Sequence, residues 1–153
     1  MRVWLLAAAL LALGSGCSSS DDPQGSGGTG GAGTPCGGRG ETFSAGMTHP
    51  GDDGALTFTL VSATPAPPQL FDNSWLLELS AAGAALDGAT LTVSTWMPDH
   101  EHGSPKQTQV SPQGDGRYQL SPVNLFMPGL WEVRVEAQSG STSDGTTFTF
   151  CVG

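Results

Sequence analysis

Trp131 to Glu136 read WEVRVE, so each apolar side chain is followed by a charged one. Because successive side chains of a strand point to opposite faces, this alternation predicts a β-strand with one buried and one wetted face. The same period of two recurs at 56–60, 75–79, 89–93 and 147–150. Turn residues separate these segments, at 52–54, 65–68, 87–88, 114–116 and 144–145. The pattern predicts an all-β fold over residues 41–153, an immunoglobulin-like antiparallel β-sandwich of about seven strands.

Two local features refine this prediction. Ser80 to Leu86 is the one run with helical character, but Gly83 lies inside it and indicates a loop. Tyr118 follows a turn at the start of a strand. In immunoglobulin-like sandwiches a tyrosine near such a corner hydrogen-bonds back to the preceding turn, and the alternative is a half-buried strand aromatic.

The first 16 residues have the three-part layout of a secretory signal. Arg2 supplies a positive charge, and residues 3–13 form an apolar run too short to span a bilayer as a helix. The small residues before Cys17 resemble the lipobox of bacterial lipoproteins, which implies a signal peptide over 1–16 and lipidation of Cys17. The alternative is an ordinary secreted protein in which Cys17 is free.

Residues 17–40 are rich in Gly and Ser and have no apolar periodicity. Such a segment buries too little apolar surface to offset its conformational entropy, so it is predicted to be a flexible linker. With a lipid on Cys17, the linker tethers the domain to a membrane of the cell envelope. Ser18 stands where some bacteria use Asp to retain lipoproteins at the inner membrane, so we expect the outer membrane, facing the periplasm.

Charge and motifs exclude two classes of function. The chain has 5 Lys plus Arg against 14 Asp plus Glu, and a formal net charge of -9. Nucleic acids bind proteins that neutralise their phosphates with basic side chains, so no nucleic-acid partner is expected. The sequence contains no G-x-S-x-G elbow, no H-E-x-x-H and no glycine fingerprint for phosphates or dinucleotides. We therefore expect a protein that is not an enzyme.

The other two cysteines, Cys36 and Cys151, stand near the two ends of the predicted domain. In an oxidising compartment such a pair forms a disulfide, and closing so long a loop stabilises by about 4 kcal/mol in the chain-entropy model. The alternative is two separate thiols, or thiols that serve as metal ligands.

All three histidines and every methionine apart from Met1 fall in three short stretches, Met47–His49, Met97–Gly103 and the segment around Met127. In an extended backbone His100 and His102 point to the same side, so one ion could meet both. Thioether sulfur suits Cu(I), and imidazole suits copper or zinc. The resulting candidate metal site consists of Met97, His100, His102 and Met127.

Two alternatives to this site stay open. The methionines could be packing residues at the edge of the core, with the histidines in a solvated loop. Asp99 and Glu101 would point away from the histidines in an extended segment, whereas in a turn they could supply oxygen ligands.

A family resemblance adds to this interpretation. Five stretches carry it, in order DNSW at 72–75, LDGA at 86–89, WMPDHEHG at 96–103, GDGRY at 114–118 and FMPGLWEV at 126–133. Together they look like the YtkA-like domain, a family similar to the FixH-type proteins linked to cytochrome oxidase assembly. The resemblance implies an extracytoplasmic sandwich associated with copper handling. That association falls on Met97, His100, His102 and Met127 here.

Two functions follow as expectations. The first is a lipid-anchored protein that binds copper through its Met/His loop cluster, for metal handling or oxidase assembly, next to a membrane or periplasmic partner protein. The alternative is a metal-free interaction module that binds a partner protein through its end loops.

Overall fold

The structure, a computed structural model, describes residues Cys36–Gly153. Residues 1–35, with the predicted signal peptide, Cys17 and most of the predicted linker, lie outside the described range. The described residues contain no helix, so none there could cross a membrane. They form ten strands, β1 Met47–Pro50, β2 Thr57–Thr64, β3 Phe71–Ala81, β4 Ala84–Ala85, β5 Thr90–Met97, β6 His102–Gly103, β7 Gln109–Gly114, β8 Arg117–Leu125, β9 Gly129–Ser139 and β10 Thr142–Val152.

Antiparallel pairing organises these strands into two sheets. One sheet has the order β1-β2-β3-β8-β7, with β4 paired to β3, and the other has the order β10-β9-β5-β6. The sheets pack face to face, since the Trp75 ring on β3 meets the Phe150 ring on β10 edge-on, 5.6 Å between centroids. The prediction of an all-β antiparallel sandwich is confirmed. Seven strands have six residues or more, and β1, β4 and β6 are the short additions.

The alternation in the sequence corresponds to the two faces of each strand. On β9, Trp131, Val133 and Val135 are fully buried, whereas Arg134 and Glu136 are exposed. Burying each such side chain stabilises the fold by about 1.5–3 kcal/mol relative to leaving it in water. Trp75 and Trp131 are the largest side chains in this core.

The segment before β1 covers the free edge of β10. The predicted disulfide between Cys36 and Cys151 is present, and it anchors the last five residues of the predicted linker. Further along, the Glu41 N–H donates to the Thr149 carbonyl oxygen at 2.7 Å, and the Thr149 N–H donates to the Glu41 carboxylate at 2.7 Å. These bonds satisfy backbone groups that an edge strand otherwise leaves to water.

Several local expectations from the sequence are corrected by the structure. Residues 47–49, expected to precede the first strand, are themselves part of β1. β7, which no sequence pattern indicated, contains Pro112; proline has no N–H to donate, and an edge strand tolerates this because it has a neighbour on one side only. Asp144–Gly145, expected to be a turn, lies inside β10. Tyr118 bonds to the strand connection before β5 and not to the turn that precedes it, since its hydroxyl donates to the Leu86 carbonyl at 2.8 Å.

Candidate metal site

The predicted ligands lie at one end of the sandwich, where a tight hairpin joins β5 to β6. The Met97 carbonyl accepts hydrogen bonds from the N–H groups of His100 at 3.2 Å and Glu101 at 2.9 Å. Glu101 adopts a φ of 55°, so the backbone reverses there and is not extended as the sequence argument assumed. The histidines therefore approach each other because the hairpin closes.

The two imidazole rings of this hairpin are close enough to share an ion. The ring centroids of His100 and His102 are 5.8 Å apart. A metal–nitrogen bond of about 2.0 Å places an ion about 3.2 Å from an imidazole centroid, so two rings on one ion have centroids up to about 6.4 Å apart. The observed separation of 5.8 Å lies within this limit, so the spacing of the rings permits one ion to contact both.

The second ring has one nitrogen oriented by the backbone. Nδ1 of His102 lies 3.3 Å from the Gly103 carbonyl oxygen. Because a carbonyl oxygen only accepts, a hydrogen bond here requires the proton on Nδ1, and in that tautomer of the neutral ring the lone pair is on Nε2. Metal-binding histidines are typically oriented in this way.

An aromatic corner borders His102. Its ring lies 5.6 Å from that of Phe126 and 6.4 Å from that of Trp131, and the two aromatic rings are 5.6 Å apart. Nε1 of Trp131 donates to the Met127 carbonyl at 2.8 Å, which fixes the loop between β8 and β9 beside the histidine. A half-buried imidazole with apolar neighbours is partly shielded from water, and that shielding strengthens any bond that it makes to a cation.

The two methionines occupy different environments. Met97 is directly opposite His102 in the β5–β6 register, so their side chains share one face. Met97 is fully buried, and its Cε lies 2.8 Å from the position that a Cβ would take at Gly129. Its side chain is therefore a packing residue of the core. Met127 is half-buried and packs against the core from the neighbouring loop.

The acidic residues of the hairpin do not join the histidines. Both carboxylate oxygens of Asp99 accept hydrogen bonds from the Arg39 guanidinium, one at 2.8 Å. This pairing holds the pKa of the Asp99 carboxyl below its ordinary value. Glu101 is exposed. Within Cys36–Gly153 no three His, Cys, Asp or Glu side chains are grouped so as to hold a metal ion, so a site here needs thioether ligands beside the two imidazoles.

The remaining candidates from the sequence lie elsewhere. His49 pairs with Glu41 at 2.7 Å and stacks on Phe148 at 4.4 Å, on β1 and away from the hairpin. The two described cysteines are bonded to each other and so are not metal ligands. Cys17 lies outside the described residues.

Two features of this end were not anticipated from the sequence. The first is the aromatic pair Phe126 and Trp131. These are the first and last residues of FMPGLW, so the motif itself could have indicated the pair. The Arg39–Asp99 pair joins residues 60 positions apart and depends on the path of the segment after Cys36. Nothing local in the sequence indicates that contact.

Fold and site together define a small antiparallel sandwich protein with histidine and methionine side chains gathered at one end. The family model for YtkA-like proteins matches residues 52–136, and the chain belongs to that family. No curated protein sequence matches the chain.

Two solved structures of FetP from uropathogenic Escherichia coli are similar to the chain. A copper-bound variant is 11% identical with a TM-score of 0.44, and the match covers 70% of this chain and 94% of FetP. The protein as isolated after periplasmic expression is 8% identical with a TM-score of 0.42, over 69% of this chain and 95% of FetP.

Proposed function

We propose that this YtkA-like protein is a lipid-anchored, extracytoplasmic copper-binding module. His100 and His102 supply the imidazole ligands, and Met127 and Met97 supply thioethers. The role is non-catalytic: the domain takes up copper near a membrane and passes it to a membrane or periplasmic protein, in metal handling or oxidase assembly. The observation that carries the proposal is the spacing of the two imidazole rings, 5.8 Å between centroids.

The chemistry of the surroundings favours copper over harder cations. Magnesium and calcium bind carboxylate and carbonyl oxygens, but Arg39 holds the Asp99 carboxylate, and among the described residues Glu101 completes no three-ligand group with the two histidines. The hairpin and the loop beside it contribute imidazole and thioether groups, a donor set that suits Cu(I). Met127 is the third ligand in this proposal, since its side chain is only half-buried. Met97 is a packing residue of the core. It becomes a fourth ligand only if its side chain moves out of the core.

The location of the protein is the second part of the proposal. A disulfide between Cys36 and Cys151 fits an oxidising compartment such as the cell envelope. We assign the lipid to Cys17 and the anchorage to the outer membrane, with the domain facing the periplasm. Cys17→Ser should release the protein from the membrane fraction into the soluble periplasmic fraction, whereas Ser18→Ala should leave it membrane-bound. A Cys17→Ser protein that stays in the membrane fraction refutes the lipid anchor.

Copper titration tests the site directly. The full chain is titrated with Cu(I), Cu(II) and Zn(II) while its melting temperature is followed. We expect copper to raise that temperature, and His102→Ala to weaken copper binding by about 100-fold because one of few ligands is lost. The matched control is His49→Ala, which removes the third histidine at a distance from the hairpin and should leave copper affinity unchanged.

Unchanged melting with all three ions refutes the copper site. The metal-free interaction module is then the better function, and one observation favours it. Phe71 is 64% exposed, the one large apolar side chain so exposed among the described residues, and it pairs with Leu125 at the same end of the sandwich. Phe71 is thus an apolar contact point that this end of the sandwich offers to a partner protein. A partner crosslinked to this end, and lost on Phe71→Ser, would establish that function.

A further inference from the structure

One edge of the second sheet has unpaired backbone groups. β6 pairs only with Trp96 and Met97 of β5, and the rest of β5, from Thr90 to Thr95, has β9 on one side and no strand of the described residues on the other. A further strand can pair with an open edge, and proteins usually prevent this with a charged residue, a proline or a bulge in the edge strand. Residues 90–95 contain neither a charged residue nor a proline, and their pairing with β9 is regular.

The register identifies which groups face the open side. The Ser104 N–H donates to the Thr95 carbonyl at 3.3 Å, so the backbone of Thr95 points towards β6. The N–H and C=O of one strand residue point the same way, and the direction alternates along the strand. Leu91 and Val93 therefore point to the open edge, whereas Thr92 and Ser94 point to β9. Among residues 36–153 the backbone groups of Leu91 and Val93 have no hydrogen-bond partner on that side.

A groove of about 510 Å³ runs along this edge. One wall is β5, and the other is the chain from Gly103 to Thr108. No acidic side chain of the described residues lines it, although the sequence has 14 Asp plus Glu. Two of the five basic residues of the chain, Lys106 and Arg134, lie at its rim. The groove is thus lined by basic and neutral side chains only, on an acidic protein.

The two cations keep hydrogen-bonding capacity for a ligand. Lys106 pairs with Asp72 at 2.7 Å and Arg134 pairs with Glu132 at 2.6 Å, and both basic side chains are about half exposed. The Arg134 guanidinium also lies over the Trp96 ring, 5.5 Å from its centroid, which holds it at the groove. In the described residues its Nη1 has no acceptor.

We propose that this edge binds an extended segment of a partner protein by strand addition, with acidic side chains of that segment meeting Lys106 and Arg134. The backbone groups of Leu91 and Val93 supply the pairing, and the rim cations select the acidic segment. A second copy of this chain fits less well, because pairing β5 with itself would bring the cations of both grooves together. The groove ends at Gly103, beside His102, so a bound partner would lie next to the candidate metal site without depending on it.

Two synthetic peptides test the proposal on the full-length chain by NMR. The probe is acetyl-Gly-Thr-Val-Asp-Val-Glu-Val-Thr-Gly-amide, and the matched control has lysine for both acidic residues. We expect the probe to slow amide exchange at Leu91 and Val93 by about tenfold or more, with no change at Thr92 and Ser94, which β9 already protects. The lysine peptide should bind about tenfold more weakly.

Two variants separate the backbone and charge contributions. Val93→Pro removes an N–H that has no partner in the free protein, and edge positions tolerate proline, so the variant should fold and lose probe binding. Thr92→Ala, on the neighbouring residue, should bind normally. Lys106→Glu with Arg134→Glu should weaken the probe and strengthen the lysine peptide, a reversal that unfolding cannot imitate.

Three results would overturn the proposal. The first is an absence of exchange or shift changes at β5 when the probe is in excess. The second is equal binding of the acidic and lysine peptides. The third is concentration-dependent protection of Leu91 and Val93 without peptide, which would identify a second copy of the chain as the occupant.

Discussion

Replacing Asp144 by asparagine should destabilise the sandwich far more than its place in a polar stretch suggests. Asp144 lies inside β10 and is 3% exposed. One of its oxygens accepts the N–H groups of Asp53 and Gly145, both at 2.9 Å, and the other accepts those of Ala55 at 2.8 Å and Leu56 at 2.9 Å. A single carboxylate therefore ties the loop before β2 to the opposite sheet.

The size of the effect follows from this geometry. Asparagine replaces one oxygen with an amide nitrogen, so two of the four N–H groups lose their acceptor and face another donor. Whichever way the amide is turned, one of the two belongs to a buried residue, Leu56 or Gly145, and the other to an exposed one. A buried donor left without a partner costs about 1–3 kcal/mol, and a lost charge-assisted bond costs about as much, so we expect a loss of about 3 kcal/mol.

The pH dependence provides a second signature. Burial pushes the pKa of Asp144 upwards, but the four backbone N–H donors outweigh burial and hold that pKa below its ordinary value of 3.8. The unfolded chain then takes up the proton first as the pH falls. The stabilisation is complete above pH 3.8 and is lost as the pH falls through the pKa of the folded state. The difference between wild type and Asp144→Asn should be constant from neutral pH to about 5 and shrink below about 4.

Urea unfolding of both proteins across this pH range measures the effect. Asp115→Asn is the matched control, because Asp115 lies in an exposed turn and should change stability by less than about 0.5 kcal/mol. A loss below about 1 kcal/mol at neutral pH, or a difference that does not shrink in acid, would refute the role assigned to the carboxylate.

Three further changes test other parts of the fold. Tyr118→Phe removes the bond to the Leu86 carbonyl and should lower the free energy of unfolding by about 1 kcal/mol, measured in urea. Gly51→Ala should destabilise about as much as the loss of one Asp144 oxygen, about 3 kcal/mol, because the new methyl group would overlap that carboxylate. Serine at both Cys36 and Cys151 should lower stability by about 4 kcal/mol, since the bridge spans 115 positions, and reductant should reproduce the loss only in wild type.

The fold was largely predictable because period-two alternation reports directly on burial. WEVRVE on β9 is an example, since its apolar residues are in the core. The sequence fails where a strand has no buried face to mark it. β7 carries Pro112 and is exposed over most of its length, so no alternation indicates it. The turn predicted at Asp144–Gly145 is wrong for a different reason. This dipeptide is typical of turns, but here it lies inside a strand, where the aspartate binds a distant loop.

The closeness of His100 and His102 was predictable from the sequence, but the backbone geometry that produces it was not. Clustering of histidine and methionine in the sequence brought Met97, His100 and His102 into consideration together, and the hairpin does place the two rings close to each other. The reason given for that closeness, an extended backbone, is wrong, since Glu101 turns the chain back. The ion pairing of Asp99 depends on Arg39, which lies 60 positions away, so no local sequence pattern could predict it.

The position of Arg39 explains why the Asp99 carboxylate is not free beside the histidines. Its Nε donates to the Cys36 carbonyl at 3.1 Å, and its other nitrogens bind Asp99. The disulfide fixes Cys36 to β10, so the guanidinium is held where the hairpin turns. An unpaired Asp99 carboxylate would add a second hard oxygen donor to the hairpin, beside that of the exposed Glu101. The arginine occupies the Asp99 carboxylate while it braces the turn, so one contact both shapes the loop and removes one of its two carboxylates as a free oxygen donor.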